Sequence, residues 1–136
     1  MQRLKTRPQF QAVLAGGIVA KSTHFALHRN SLAADVAAGK IGGRSLELPL
    51  FRMQATWIGA MVPKRWAKRA VTRNLIKRQI YSVSADFSLR YPLAAFVVRL
   101  RSGFARSEFA SASSIQLKQA VRAELQALML AGAASE

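Results

Sequence analysis

The 136-residue chain has no cysteine. Disulfide scaffolds, thiolate zinc sites and cysteine nucleophiles are therefore excluded, and a reducing cytoplasm is the compartment such a composition suits. Acid is nearly as scarce: six Asp and Glu stand against 21 Lys and Arg, a formal net charge of +15. The six are Asp35, Glu47, Asp86, Glu108, Glu124 and Glu136, and no two fall within ten residues of each other. Metal-dependent hydrolysis needs carboxylates converging on one or two cations. With this scatter, neither a metal site nor catalytic side chains are expected on the chain. Long apolar runs are missing too. Leu93–Val98 and Ala127–Ala134 fall far short of the ~20 residues of a membrane span, and Met1 to Arg7 carries charge without the apolar stretch of a secretory signal. No Gly-rich phosphate loop or nucleophile elbow is visible. The two histidines, His24 and His28, read as residues of one strand. There they face one side about 13 Å apart, which suits a polar sheet surface better than a metal pair.

What remains is a basic chain that repels itself unless a polyanion neutralises it. Nucleic acid is the first candidate and an anionic membrane surface the second. Of the apolar residues, 24 are alanine, so the core rests on a limited set of larger side chains. Thr6-Arg-Pro-Gln9 opens a helix, with Thr6 and Gln9 as a capping box and Pro8 in the first turn. Phe10, Val13 and Leu14 share one face of it, and Gly16-Gly17 end it. Val19 to Leu27 reads as a strand, with Phe25 and Leu27 on one face and His24, Ala26 and His28 on the other. Residues 31–44 read as an Ala/Gly-rich loop and 45–53 as a weak strand that Pro49 confines to an edge; together 31–54 form an insertion. Thr56 to Val62 is a strand closed by Pro63.

A helix begins near Arg69, with Ile76, Ile80, Val83 and Phe87 facing inward. Asn74, Arg78 and Tyr81 share its opposite face, with Lys77 beside them and Arg73 near the border. Leu93 to Leu100 is apolar enough for a central strand. The last helix starts near Ser113 or Ser114, turns Leu117, Val121, Leu125 and Leu128 inward, and ends at Gly132, leaving 132–136 as a frayed tail. The order αβββαβα, with three helices and about four strands, gives one domain over 1–136 of the α/β (α+β) two-layer sandwich class. If the strands at 56–62 and 93–100 are parallel neighbours, the helix between them makes a βαβ crossover, right-handed by the general rule.

The most informative stretch is Lys64 to Arg78, which holds seven basic residues and no acid in fifteen positions. A charge run is ordinarily a solvated helix face, but seven bases without one acid favour a nucleic-acid surface. Its pattern is Lys64-Arg65, then Lys68-Arg69-Ala70, then Arg73-Asn74-x-x-Lys77-Arg78. This resembles the signature of the protein-subunit family of bacterial ribonuclease P. Arg3-Leu4-Lys5, Phe10, Val13, Gly17, Phe25 and Leu27 match that family's spacing before the segment, as do Ile58-Gly59 just ahead of it and Phe96-Val97-Val98 after it. Leu75 stands where the pattern usually carries a third basic residue, and Tyr81-Ser82 where an Arg-Glu-like pair often follows.

The resemblance implies a sandwich with a left-handed βαβ crossover, against the general rule. It implies a subunit of the endoribonuclease that removes the 5′ leader from precursor tRNA, in which a catalytic RNA and its Mg²⁺ ions perform the hydrolysis. Lys64, Arg65, Lys68, Arg69, Arg73, Asn74, Lys77 and Arg78 are then the contacts to the catalytic RNA. Phe10, Val13, Phe25 and Leu27 are the expected lining of a cleft for the single-stranded leader. Trp66, among the bases, can stack on RNA, whereas Trp57, on a strand, is expected to be buried. The partners are RNA, with no membrane and no DNA. A ribosomal protein would explain size and charge equally well but not the combined patterns, and a DNA-binding module lacks a recognition helix or dimer seam.

Overall fold

The computed structural model describes residues 1–32, 55–104 and 115–134. The capping box forms as the sequence requires: Gln9 N–H donates to Thr6 Oγ1, and Thr6 N–H donates back to Gln9 Oε1. Helix α1 runs over Arg7–Leu14 with Pro8 in its first turn. Gly17, at φ 141, turns the chain out of it, a conformation that disfavours any side chain. The chain begins one element earlier than expected, with β1 at Gln2–Arg3.

The strand expected over Val19–Leu27 is two strands. β2, Ile18–Lys21, and β3, Phe25–Asn30, pair antiparallel around a turn at Ser22–His24. The turn contains neither Gly nor Asn, the usual markers of a tight hairpin. It closes instead through Ser22, whose N–H donates to Phe25 O at 2.8 Å while its Oγ accepts from Phe25 N. β4 covers Trp57–Met61, α2 Ala70–Ala85, β5 Ala95–Leu100 and α3 Ile115–Ala134.

The five strands lie in the order β1-β4-β5-β3-β2. β4 and β5 are parallel neighbours joined through α2, so the βαβ crossover is present, while β3 runs antiparallel to β5. The weak strand expected at 45–53 lies outside the described residues. Strand β5 is central, and its side chains alternate between two covered faces, which is why it reads as an unbroken apolar run. Phe96, Val98 and Leu100 join Phe25, Leu27, Ile76, Ile80, Val83, Leu117, Val121, Leu125 and Leu128 in the main core under α2 and α3. Ala95 and Val97 join Leu4, Val13 and Trp57 in a smaller cluster with Phe10 and Leu14 of α1. The sandwich is thus the sheet plus the α2–α3 layer, with α1 laid on part of the opposite face.

Gly132 does not end α3. It is buried inside the helix, where an added Cβ would lie 2.4 Å from Leu27 Cδ2 and 2.5 Å from the Tyr91 hydroxyl. Tyr91 Oη donates to Met129 O at 2.6 Å at that approach. The glycine marks close packing and not a C-cap, and the helix continues to Ala134. Among the described residues, no helix is long and apolar enough to cross a membrane.

Candidate RNA interface

The basic segment starts where β4 gives way to Pro63. Trp66 and Ala67 N–H both donate to Pro63 O, at 3.1 and 3.2 Å, which folds Lys64–Ala67 into a turn. Ala67 is buried beneath it. From the first turn of α2, Arg73 Nη1 donates to Ala67 O at 3.0 Å and Lys68 O at 2.9 Å. Arg73 therefore ties the loop to the helix, and it is the one residue of the predicted RNA set that is not fully turned to solvent. The other seven, Lys64, Arg65, Lys68, Arg69, Asn74, Lys77 and Arg78, are all exposed. Arg69, at the N-cap, makes no side-chain cap, and no acid occupies the first turn. The positive end of the helix dipole is left to act together with the loop's cations.

The family's usual third base would fall at Leu75, whose side chain points into the main core. The outward set on α2 is therefore Asn74, Lys77 and Arg78, with Tyr81 half-buried one turn on. Tyr81 has a structural reason of its own. β1 is too short to cover the edge of β4, and the next free donor, Ala60 N–H, is met by Tyr81 Oη at 3.2 Å. The Arg3 guanidinium lies 4.0 Å from the Tyr81 ring centroid, a cation–π contact that closes the same edge.

The expected leader cleft is corrected by the sheet. Phe25 and Leu27 are both 0% exposed and belong to the core under α2 and α3, on the face away from α1. Val13 is also fully buried, within the α1 cluster. Of the four predicted residues, Phe10 alone keeps part of its ring accessible. It sits on Gly59, where an added Cβ would lie 2.6 Å from Phe10 Cε1, so the glycine admits the ring to the sheet. By strand alternation and register, the α1 face also carries Met61, His28 and Arg99.

Arg99 Nε donates to His28 Nε2 at 3.1 Å, so the imidazole proton resides on Nδ1, which has no partner among the described residues. Burial and then the Arg99 charge hold the His28 pKa below its ordinary value. A neutral histidine holding a guanidinium on this face escaped the sequence reading. The alternation that placed His28 opposite Phe25 was the available signal.

A second pairing was also missed. His24 Nδ1 donates to Glu124 Oε1 at 2.7 Å, across 100 residues of chain. Glu124 Oε2 accepts from His24 N at 2.7 Å and from the Ser22 hydroxyl. Burial opposes ionisation of Glu124, but the hydrogen bonds from Ser22 and His24 prevail and hold its carboxyl below the usual range. The group resembles a nucleophilic triad only in composition. Ser22 donates to the carboxylate and not to the imidazole, so the serine–histidine contact that activates a triad nucleophile is missing. The cluster is a clamp between the β2–β3 turn and α3.

Among the described residues no three His, Asp or Glu converge as a metal site. The two acids described are Glu124, committed to the clamp, and Asp86, at the far end of α2, so Mg²⁺ finds no carboxylate pair there.

Comparison with known proteins identifies relatives along most of the chain. The family model described as Ribonuclease P matches residues 1–128. The chain is 31% identical over 130 residues to the ribonuclease P protein component of a Nostoc species, covering 93% of this chain and 92% of that one. It is 40% identical over 70 residues to that of Bordetella parapertussis, about half of each chain (52% and 53%). The RNase P protein of Staphylococcus aureus superposes with a TM-score of 0.63, covering 96% of this chain and 94% of that one. Its 15% identity makes that a likeness of fold. The chain belongs to the ribonuclease P protein family.

Proposed function

We propose that the chain is the protein subunit of the ribonucleoprotein that removes the 5′ leader from precursor tRNA, binding the catalytic RNA through Lys64–Arg78 and the single-stranded leader on the α1 face. The observation that carries the first half is the stretch of exposed, acid-free side chains fixed on a pinned loop and a packed helix. Lys64, Arg65, Lys68, Arg69, Lys77 and Arg78 suit phosphate oxygens, and Asn74 offers both a donor and an acceptor. For the second half, half-buried Phe10 supplies an aromatic surface and Arg99, held by His28, a cation on the same face of the sheet; single strands are bound by that combination. On this reading hydrolysis belongs to the RNA, with Mg²⁺ held mainly by it; the described residues offer the ion no carboxylate pair.

Salt titration of binding to the catalytic RNA tests the interface. Lys77 and Arg78 are exposed, off the packed side of α2 and without a structural hydrogen bond among the described residues. Lys77→Ala or Arg78→Ala should weaken binding and reduce the slope of log K against log[salt] by about 0.7–0.9 each. The melting temperature should not move. Unchanged affinity and slope in both variants would remove α2 from the interface.

A further inference from the structure

We propose that Trp66 is a stacking platform for one unpaired base of the RNA partner, set among the cations that hold the neighbouring phosphates. The inference rests on the RNA reading above and adds which feature of the RNA the loop recognises.

The chain has two tryptophans, and they are treated oppositely. Trp57 is 8% exposed and packed in the α1 cluster, whereas Trp66 is 37% exposed and lies outside both cores. A tryptophan gains most from burial, so an exposed one held in a fixed place calls for a reason. Trp66 is fixed through its backbone. Its N–H donates to Pro63 O at 3.1 Å. Its carbonyl is met by Gly103, just past β5, where an added Cβ would lie 2.8 Å from that oxygen. The next residue, Ala67, is buried, and Arg73 holds the carbonyls of Ala67 and Lys68. The backbone that carries the ring is thus fixed while 37% of the residue stays open to solvent, so little backbone ordering is left for binding to impose.

The surroundings select the ligand. Lys64, Arg65, Lys68 and Arg69, all within three residues of Trp66 in the chain, are exposed, and the Arg65 guanidinium lies 5.5 Å from the ring centroid. No acid stands in the segment. Lysine-rich surfaces are poor protein interfaces, but an aromatic side chain in a run of exposed cations fits a nucleotide, whose base stacks while its phosphates pair. Bases within a duplex are already stacked and out of reach, so the matching feature is a loop, bulge or end of the folded RNA.

The test is binding of the full chain to the in vitro transcribed catalytic RNA across a salt series, comparing Trp66→Ala, Trp66→Phe and Lys77→Ala. Trp66→Ala should lose roughly 5- to 150-fold in affinity, the range of one base–aromatic stack. Its salt slope should match the wild type, because no counterion-releasing charge is removed. Trp66→Phe should recover most of the loss, and melting temperatures should agree throughout. Wild-type affinity in Trp66→Ala, while Lys77→Ala is weakened, overturns the platform and leaves the interface standing. Wild-type affinity in both overturns the two together. A lowered melting temperature in Trp66→Ala, or a Trp66-dependent dimer of the free protein in sedimentation, assigns the ring to packing or self-association and also overturns it.

Discussion

Phe25 and His28 stand three residues apart on β3 and face opposite layers. That alternation was legible in the sequence. Which layer held α1 was not, because both faces of the strand are covered and each reads as apolar or neutral. On β3 the large apolar side chains, Phe25 and Leu27, went to the side of α2 and α3, two long helices able to bury them, and the eight-residue α1 took the side with Gly59, Ala95 and His28, where Trp57 also packs. The two phenylalanines first read as one cleft therefore separate by experiment. Phe25→Ala should cost about 3–5 kcal/mol of folding stability, as a fully buried ring does, and reduce binding of all RNAs in parallel. Phe10→Ala should cost about 1–3 kcal/mol in affinity for precursor tRNA in the assembled ribonucleoprotein and almost nothing for mature tRNA. Thermal unfolding beside binding to the two tRNAs checks both. Equal losses for the two tRNAs with Phe10→Ala would remove that ring from the leader surface.

Among the elements, those with strong periodicity were readable: α1 with its capping box, the Ile76/Ile80/Val83 stripe of α2, the apolar β5 and the inward row of α3. Two failures have identifiable causes. β1 is two residues long and carries no pattern of its own, existing because β4 has an open edge. The β2–β3 turn lacks glycine and is held from outside by Glu124, a contact that sequence separation conceals. That clamp makes acid sensitivity an element-level property. The Glu124 carboxyl titrates below its ordinary 4.5 when folded, so its contribution is complete above that value and is lost as pH falls through the folded pKa. His28, also lowered from 6.5, contributes fully above 6.5 and progressively less as pH drops from there to its folded value. Glu124→Gln should therefore lower stability at neutral pH by about 1–3 kcal/mol, the scale of charged hydrogen bonds. It should also flatten the fall in melting temperature below pH 4.5 while keeping the His28-dependent part at higher pH. Melting curves from pH 3 to 8 check this; identical acid profiles for variant and wild type would show that the clamp does not couple the turn to α3.

At the scale of the whole molecule, the charge of +15 and the poverty of carboxylates were the strongest statements the sequence made. They point to a chain that binds RNA and leaves the chemistry to it. The function proposed above distributes that role over two surfaces, the Lys64–Arg78 loop and helix at one and the α1 face of the sheet at the other. The central claim, that the protein binds and the RNA cuts, is tested most directly by reconstitution. The purified chain, its catalytic RNA and the two together are each given precursor tRNA with Mg²⁺, and the 5′ ends are mapped. The chain alone should leave the leader intact, and the assembled pair should remove it at the mature 5′ end. Leader removal by the protein without RNA, persisting after contaminating nucleases are excluded, would contradict the account.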